Sequence, residues 1–183
     1  MLIKSLLRIL IVTLFIVSIA IQASEKKPYA GQQTRSIKSL SNEDIHSLKT
    51  GKGWGLAKPA ELNGVPGPAH ILELKDQLAL SEKQLLSIQA LWDKMNQSAR
   101  QYGELYLQSE EKIEQFFNSS STDETVLSQL LTESASHLAE LRYIHLQTHL
   151  KAKPILTQHQ IVTYNTLRGY TDNSHSKGHK HAH

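Results

Sequence analysis

Cysteine is absent from all 183 residues. That absence excludes a disulfide framework, a thiol nucleophile, a Cys-type zinc finger and an iron–sulfur cluster. It also excludes the lipid-bearing cysteine of a bacterial lipoprotein. Aromatic residues make up 6% and apolar residues 39% of the chain. That is little for a compact α/β enzyme and suits a thin helical protein rich in Leu, Gln, Glu and Lys. No G-x-S-x-G elbow, H-E-x-x-H pair or glycine-rich phosphate loop is found, so the chain is not read as an enzyme. Adjacent acids such as Glu110 and Glu111 point to different helix faces, and with Glu104 and Glu114 they read as a solvated surface. No Lys/Arg stripe interleaved with aromatics is present, so the pI near 9.0 does not imply a nucleic-acid partner. What the chain does have is histidine, ten in all, with four in the last nine residues.

Residues 1–23 read as an export signal. Lys4 and Arg8 supply the positive start, Ile9 to Ile21 is apolar apart from Thr13 and Ser18, and Ala23 precedes a plausible cut. The apolar run falls short of the about 20 residues that a spanning helix needs, so no stable membrane anchor is expected after cleavage. Removing Lys4 and Arg8 from 20 basic residues leaves 18 against 17 acidic ones, a nearly neutral mature chain. A cysteine-free chain is consistent with export into an oxidising compartment, and the periplasm is the expected location.

Residues 24–67 read as a polar, irregular N-terminal segment with a short helix. Ser41 to Asp44 forms a capping box for that helix, which ends near Gly51. Glycines and prolines crowd the stretch from 51 to 68, leaving room for one helical turn around Ala60 to Leu62. Residues 68–170 read as a helical domain. Pro68 opens a helix through His70, Leu72 and Leu74. Ser81 and Gln84 cap a long helix with apolar positions at 85, 88, 92, 95, 99, 102, 106, 113 and 116, a heptad-like seam broken only at Ser109. Ser121 and Glu124 are expected to cap a second long helix, with its seam at 127, 131, 138, 141, 145, 148 and 152, stopped by Pro154. Thr157 and Gln160 cap a final short helix closed by Gly169. The short link between the long helices predicts a long antiparallel helical hairpin with short flanking helices, all-α. Because a hairpin buries only a stripe, a homodimer is the expected way to cover the rest.

Leu80-Ser81-Glu82-Lys83-Gln84 and Leu156-Thr157-Gln158-His159-Gln160 repeat one pattern, L-[ST]-x-x-Q. As local chemistry each is an ordinary helix N-cap, with its Leu placed as a hydrophobic staple. Taken with the leader, the helical pattern and the missing cysteines, the pair resembles the LTxxQ, Spy/CpxP-like family of periplasmic proteins, which includes the metal-responsive ZraP and CnrX. Gly53-Trp54-Gly55-Leu56-Ala57, Ala60-Glu61-Leu62-Asn63-Gly64 and Pro66-Gly67-Pro68 look like a segment of its heavy-metal sensor branch. The resemblance covers about residues 68–170. It implies a four-helix, hairpin-like subunit, commonly in an intertwined dimer, with roles divided between ATP-independent chaperoning and metal-dependent stress signalling.

His145 and His149 stand four residues apart on one helix face, a spacing at which one ion bridges two imidazoles. His145 lies in the apolar seam and His149 about 40° round from it. Folding the chain about residues 120–121 brings Met95 and Trp92 near the pair. Met95 then offers a thioether, and His70 is a more distant donor. The bland alternative is one seam histidine hydrogen-bonded at a helix interface and one solvated neighbour. His175, His179, His181 and His183 sit with Ser, Lys and Gly in residues 171–183, a tract read as disordered that can capture metal but cannot build a core. His46, His137 and His159 read as ordinary exposed residues. Two readings follow. One is a periplasmic protein that senses, buffers or is modulated by a divalent transition metal (Zn, Ni or Cu). The other is a Spy-type holdase for unfolded envelope proteins that needs no metal. A structural partner of an envelope sensor is a third.

Overall fold

The computed structural model describes residues 27–170. Residues 27–34, the described part of a first unit that spans residues 1–34, form turns in which the Gln32 side-chain amide donates to the Pro28 carbonyl at 3.2 Å. The second unit begins at Arg35 and is all-helical among its described residues. Its elements are α1 (Asn42–Thr50), α2 (Lys58–Glu61), α3 (Pro68–Glu73), α4 (Glu82–Asn118), α5 (Glu124–Ala152), a 3-10 turn (Lys153–Ile155) and α6 (Gln158–Leu167). At 37 residues, α4 is about 55 Å long. No helix among the described residues is long and apolar enough to cross a membrane.

Local chemistry sets the helix starts. Ser41, Ser81 and Thr157 each accept from the backbone N–H three residues on, while the Asp44, Gln84 or Gln160 side chain accepts from the cap residue's own N–H. Pro68 opens α3 from its first turn. The start of α5 differs from expectation. Its cap is Asp123, whose Oδ1 accepts from Thr125 at 2.9 Å and Val126 at 3.2 Å, whereas Ser121 Oγ only accepts from the Asp123 N–H at 3.4 Å. A carboxylate at the positive end of a helix accepts more strongly than a hydroxyl two residues earlier.

The two long helices pack together. Lys112 pairs with Glu133 at 2.7 Å and Ser134 Oγ donates to Glu110 at 2.6 Å; at the other end of α4, the Gln84 side chain donates to the Ile155 carbonyl at 2.8 Å. Every expected seam position of α4 is buried or half-buried. Ser109, the one polar break in that row, is buried too, and its hydroxyl donates back to the Tyr106 carbonyl at 2.7 Å. The α5 seam is less uniform. Leu131 is exposed, while Ser134 and His149 are buried.

The apolar interior has two parts. The first joins Met95, Ala99, Tyr106 and Leu107 of α4 and Leu141 and Ile144 of α5 to Ile37, Leu40 and Leu48. The second joins Ile71, Leu78, Ile88, Ala152, Leu156 and Tyr164. Residues 35–67, polar and irregular in sequence, therefore contribute three core side chains and a lid over α4. Gly103 makes that lid possible, because the Leu48 carbonyl lies where a Cβ would sit, 2.5 Å away.

The two motif glutamines meet across the fold. Gln84 donates to Gln160 Oε1 at 2.8 Å, and Gln160 donates to Gln84 Oε1 at 3.1 Å. Each side-chain amide also reaches a main-chain carbonyl, Ile155 for Gln84 and Leu78 for Gln160. The repeated pattern is thus more than two separate caps. It ties the start of α4 to the start of α6.

Candidate functional site

The inner face of α5 carries Leu141, His145, Thr148, His149 and Ala152, all buried. His145 is only 4% exposed, and its Nε2 has no hydrogen-bond partner. Burial, reinforced by the neighbouring His149, pushes its pKa down to about 4, so the imidazole is neutral at physiological pH. A neutral imidazole offers a lone pair, which is the state a metal requires. The ring faces a cavity of about 750 Å³ whose wall also includes His70, Trp92, Met95, Asn96 and Gln89. The structure therefore brings together His145, Met95, Trp92 and His70.

His149 is also buried, but the segment before α3 crosses over it. Its Nδ1 lies 2.8 Å from the Val65 carbonyl, and its ring packs on Gly67, where a Cβ would fall 2.6 Å from Nε2. Only Gly fits beneath the ring. Donation from Nδ1 to a carbonyl leaves Nε2 as the free nitrogen, the arrangement common in metal-binding histidines. His149 does not itself line the cavity, but Gly67 does.

Glu61, at the end of α2, is the residue that sequence reasoning missed. It is 8% exposed. Its Oε1 accepts from the hydroxyls of Tyr164 at 2.5 Å and Tyr170 at 3.1 Å, and lies 3.3 Å from Arg168 Nε and 3.1 Å from His70 Nδ1. Its Oε2 is shielded and accepts no hydrogen bond; His149 Nδ1 stands 3.8 Å away. Burial alone would raise the carboxyl pKa. The bonds from His70, Tyr164 and Tyr170 outweigh that penalty and hold it down to about 2. Burial, followed by the hydrogen bond to Glu61 and then its charge, pushes the Tyr164 hydroxyl the other way, well above its usual range. The one sequence signal for Glu61 was an acid alone between Asp44 and Glu73, inside a glycine- and proline-rich stretch.

Comparison with family models, curated proteins and solved structures finds no match. Among the described residues no three His, Asp or Glu side chains already converge into a metal-sized group. The donors instead line a cavity wider than an ion, so binding would require them to close on it. His46 and His159 are exposed; His137 is half-buried, with its Nδ1 shielded and unpartnered. His175, His179, His181 and His183 lie outside the described residues.

Proposed function

We propose that this chain is an exported periplasmic protein of the Spy/CpxP-like kind that binds a divalent transition metal and acts as a sensor, buffer or metal-modulated stress protein. The observation that carries the reading is His145. A neutral imidazole, almost wholly buried and with an unpartnered Nε2, faces a cavity it shares with Met95 and His70. An unpaired buried polar nitrogen costs about 1–3 kcal/mol, and a metal would supply the missing partner. Imidazole and thioether donors suit Zn, Ni or Cu. His149 and the four histidines of residues 171–183 add donors of the same chemistry. The resemblance of the paired L-[ST]-x-x-Q motifs to the metal-responsive branch points the same way.

The subunit in this reading is an antiparallel hairpin of α4 and α5, supported by the Lys112–Glu133 pair between the helices and by the Gln84 side chain, at the start of α4, donating to the Ile155 carbonyl in the turn after α5. It works as a homodimer. Tyr143 and Leu150, seven residues apart on one side of α5, are 59% and 68% exposed and offer an apolar face to a second copy. The same face supports the competing reading, a holdase that grips unfolded envelope proteins without metal.

Calorimetric titration of the leader-free protein with Zn, Ni and Cu tests the proposal. The comparison forms are His145→Ala/His149→Ala and a chain with the four histidines of 171–183 changed to Ser. We expect the ordered site to vanish in the first and persist in the second. Equal binding by both variants, or none by the parent, would sink the metal reading. Chelator-insensitive suppression of client aggregation would then favour the holdase.

A further inference from the structure

The His145 cavity has the wrong size and the wrong charge for a bare ion. An ion with six waters, at about 30 Å³ each, takes up about 200 Å³. The cavity measures about 750 Å³. That lies inside the range of about 300–1,000 Å³ usual for pockets that hold small organic ligands. Closing the wall onto an ion would pull it from its supports. Asn96 Nδ2 donates to the Thr50 carbonyl at 2.9 Å, and Pro66 and Pro68 flank Gly67, on which the His149 ring packs.

Charge argues the same way. Apart from the imidazoles, the ionisable residues on the wall are Lys52 and Glu73, whose charges cancel. Both are exposed, and neither makes an ion pair among the described residues. The buried and half-buried part of the wall, which includes Leu72, Trp92, Met95 and His145, holds no carboxylate. A divalent ion carried there by neutral ligands alone would take two uncompensated charges out of water, at a high cost. The shell is short of donors too. One unpartnered Nε2 is a single ligand where zinc takes about four, and no three His, Asp or Glu side chains converge among the described residues.

We propose that this cavity takes its divalent metal as a neutral chelate with two small amino acids, His145 adding one protein ligand to an ion already wrapped. The proposal rests on the metal reading above and names the form in which the ion arrives. Two amino-acid carboxylates bring the two negative charges that the inner wall lacks, so the guest enters uncharged. Binding is a single ligand exchange. The Nε2 lone pair of His145 forms a bond to the ion as one carboxylate oxygen of the chelate lets go. The ion keeps its charge, no electrons change hands, and the imidazole enters neutral and stays so. Both amino acids remain attached through their other donor atoms. The released carboxylate is left for the Lys52 ammonium at the exposed part of the wall, a charge-assisted hydrogen bond. Trp92 and Met95 supply apolar surface for the carbon skeleton of the chelate.

The probes are Ni²⁺ alone and Ni²⁺ complexed by two L-histidines, with the metal and the amino acid carrying separate radiolabels. Equilibrium dialysis of the leader-free chain then counts both components in the bound fraction. Subtracting what His145→Leu retains removes nickel held elsewhere on the chain. Leucine suits the buried seam at that position, and far-UV circular dichroism checks that each chain is folded. Lys52→Met changes an exposed residue and serves as the second variant. We expect the His145-dependent nickel to carry at least one labelled histidine per ion. We expect Lys52→Met to bind the complex about tenfold more weakly, the size of one charge-assisted hydrogen bond. His145-dependent nickel retained without histidine, bare Ni²⁺ bound as tightly as the complex, or an affinity unchanged by Lys52→Met each overturns the chelate and leaves the metal site standing. No His145-dependent nickel from either probe overturns the metal reading itself, and the chelate with it.

Discussion

Replacing Gly103 with alanine sets two rules against each other. A glycine inside a helix costs about 1 kcal/mol relative to alanine, so helix propensity alone expects Gly103→Ala to stabilise α4 by that amount. Packing expects the reverse. A Cβ at residue 103 would lie 2.5 Å from the Leu48 carbonyl oxygen and 3.0 Å from its carbon. Both are backbone atoms at the end of α1 and cannot swing aside as a side chain would. Relief requires α1 to move off α4, which loosens Leu48 and its contacts with Ile37, Leu40 and Leu107 in the core. Overpacking of this kind costs about 1–3 kcal/mol. A shift of half an ångström or more also forfeits a quarter or more of each dispersion contact it stretches. After the helix gain is subtracted and the lost dispersion contacts are added, the net effect is a loss of up to about 2 kcal/mol, or a few degrees in Tm for a domain of this size. Urea unfolding followed by circular dichroism measures it, with an unchanged m-value showing that the unfolded state is not the cause. A variant as stable as the parent, or more so, would refute the argument that α1 rests on Gly103. The Thr50 to Gly53 stretch lines the His145 cavity, so the same shift should also deform that cavity.

Gln84→Glu separates the cap from the cross-fold pair. Glutamate keeps an oxygen for the Ser81 N–H but loses the amide donated to Ile155 and Gln160. Chemical melts should show a loss of about 1–3 kcal/mol; if the motif were only a cap, the change would be near zero. The acid limb of stability should have two parts. His145, depressed from 6.5 to about 4, takes up a proton more readily when unfolded, so its contribution is lost as pH falls from about 6.5 towards 4. Glu61, depressed from 4.5 to about 2, contributes above 4.5 and is lost as pH falls through that window towards 2. Glu61→Gln should remove the lower part, worth about 3 kcal/mol at most, and leave the upper one in a pH series of urea melts. An unchanged lower limb would show that Glu61 is not held as its contacts indicate.

What was legible in the sequence was local or periodic. Of the four caps expected from residues three apart, those at Ser41, Ser81 and Thr157 formed, while Asp123 took the place of Ser121. The α4 seam depends on steps of three and four, and even its polar break at Ser109 proved to be core, since a small hydroxyl can bond back to its own helix. The burial of residues 35–67 was not legible. Ile37 and Leu40 precede α1 and belong to no helix, and the close approach of Leu48 to α4 is licensed by Gly103, a residue of that other helix. Exposure of Leu131 shows the converse, that a seam position is buried only where a partner reaches it.

The candidate site divides along the same line. Periodicity placed His145 in the seam, and folding the chain back on itself placed Met95 and Trp92 beside it. His149 was expected at the seam's edge. It is buried because Val65 to Gly67 passes over it, a contact made across some 80 residues that no window of sequence contains. Glu61 carries the point furthest. Its partners come from α3, α6 and the residues after α6, so its carboxylate has meaning only once those segments are assembled. That assembly also explains why so costly a buried charge is tolerated. Three hydrogen-bonding partners and the Arg168 guanidinium converge on a single oxygen, and the second oxygen is left facing His149. A carboxylate needed only for stability would gain by satisfying both oxygens. The one left without a hydrogen bond lies 3.8 Å from His149 Nδ1, so its desolvation is offset only through that ring and through the partners of the other oxygen.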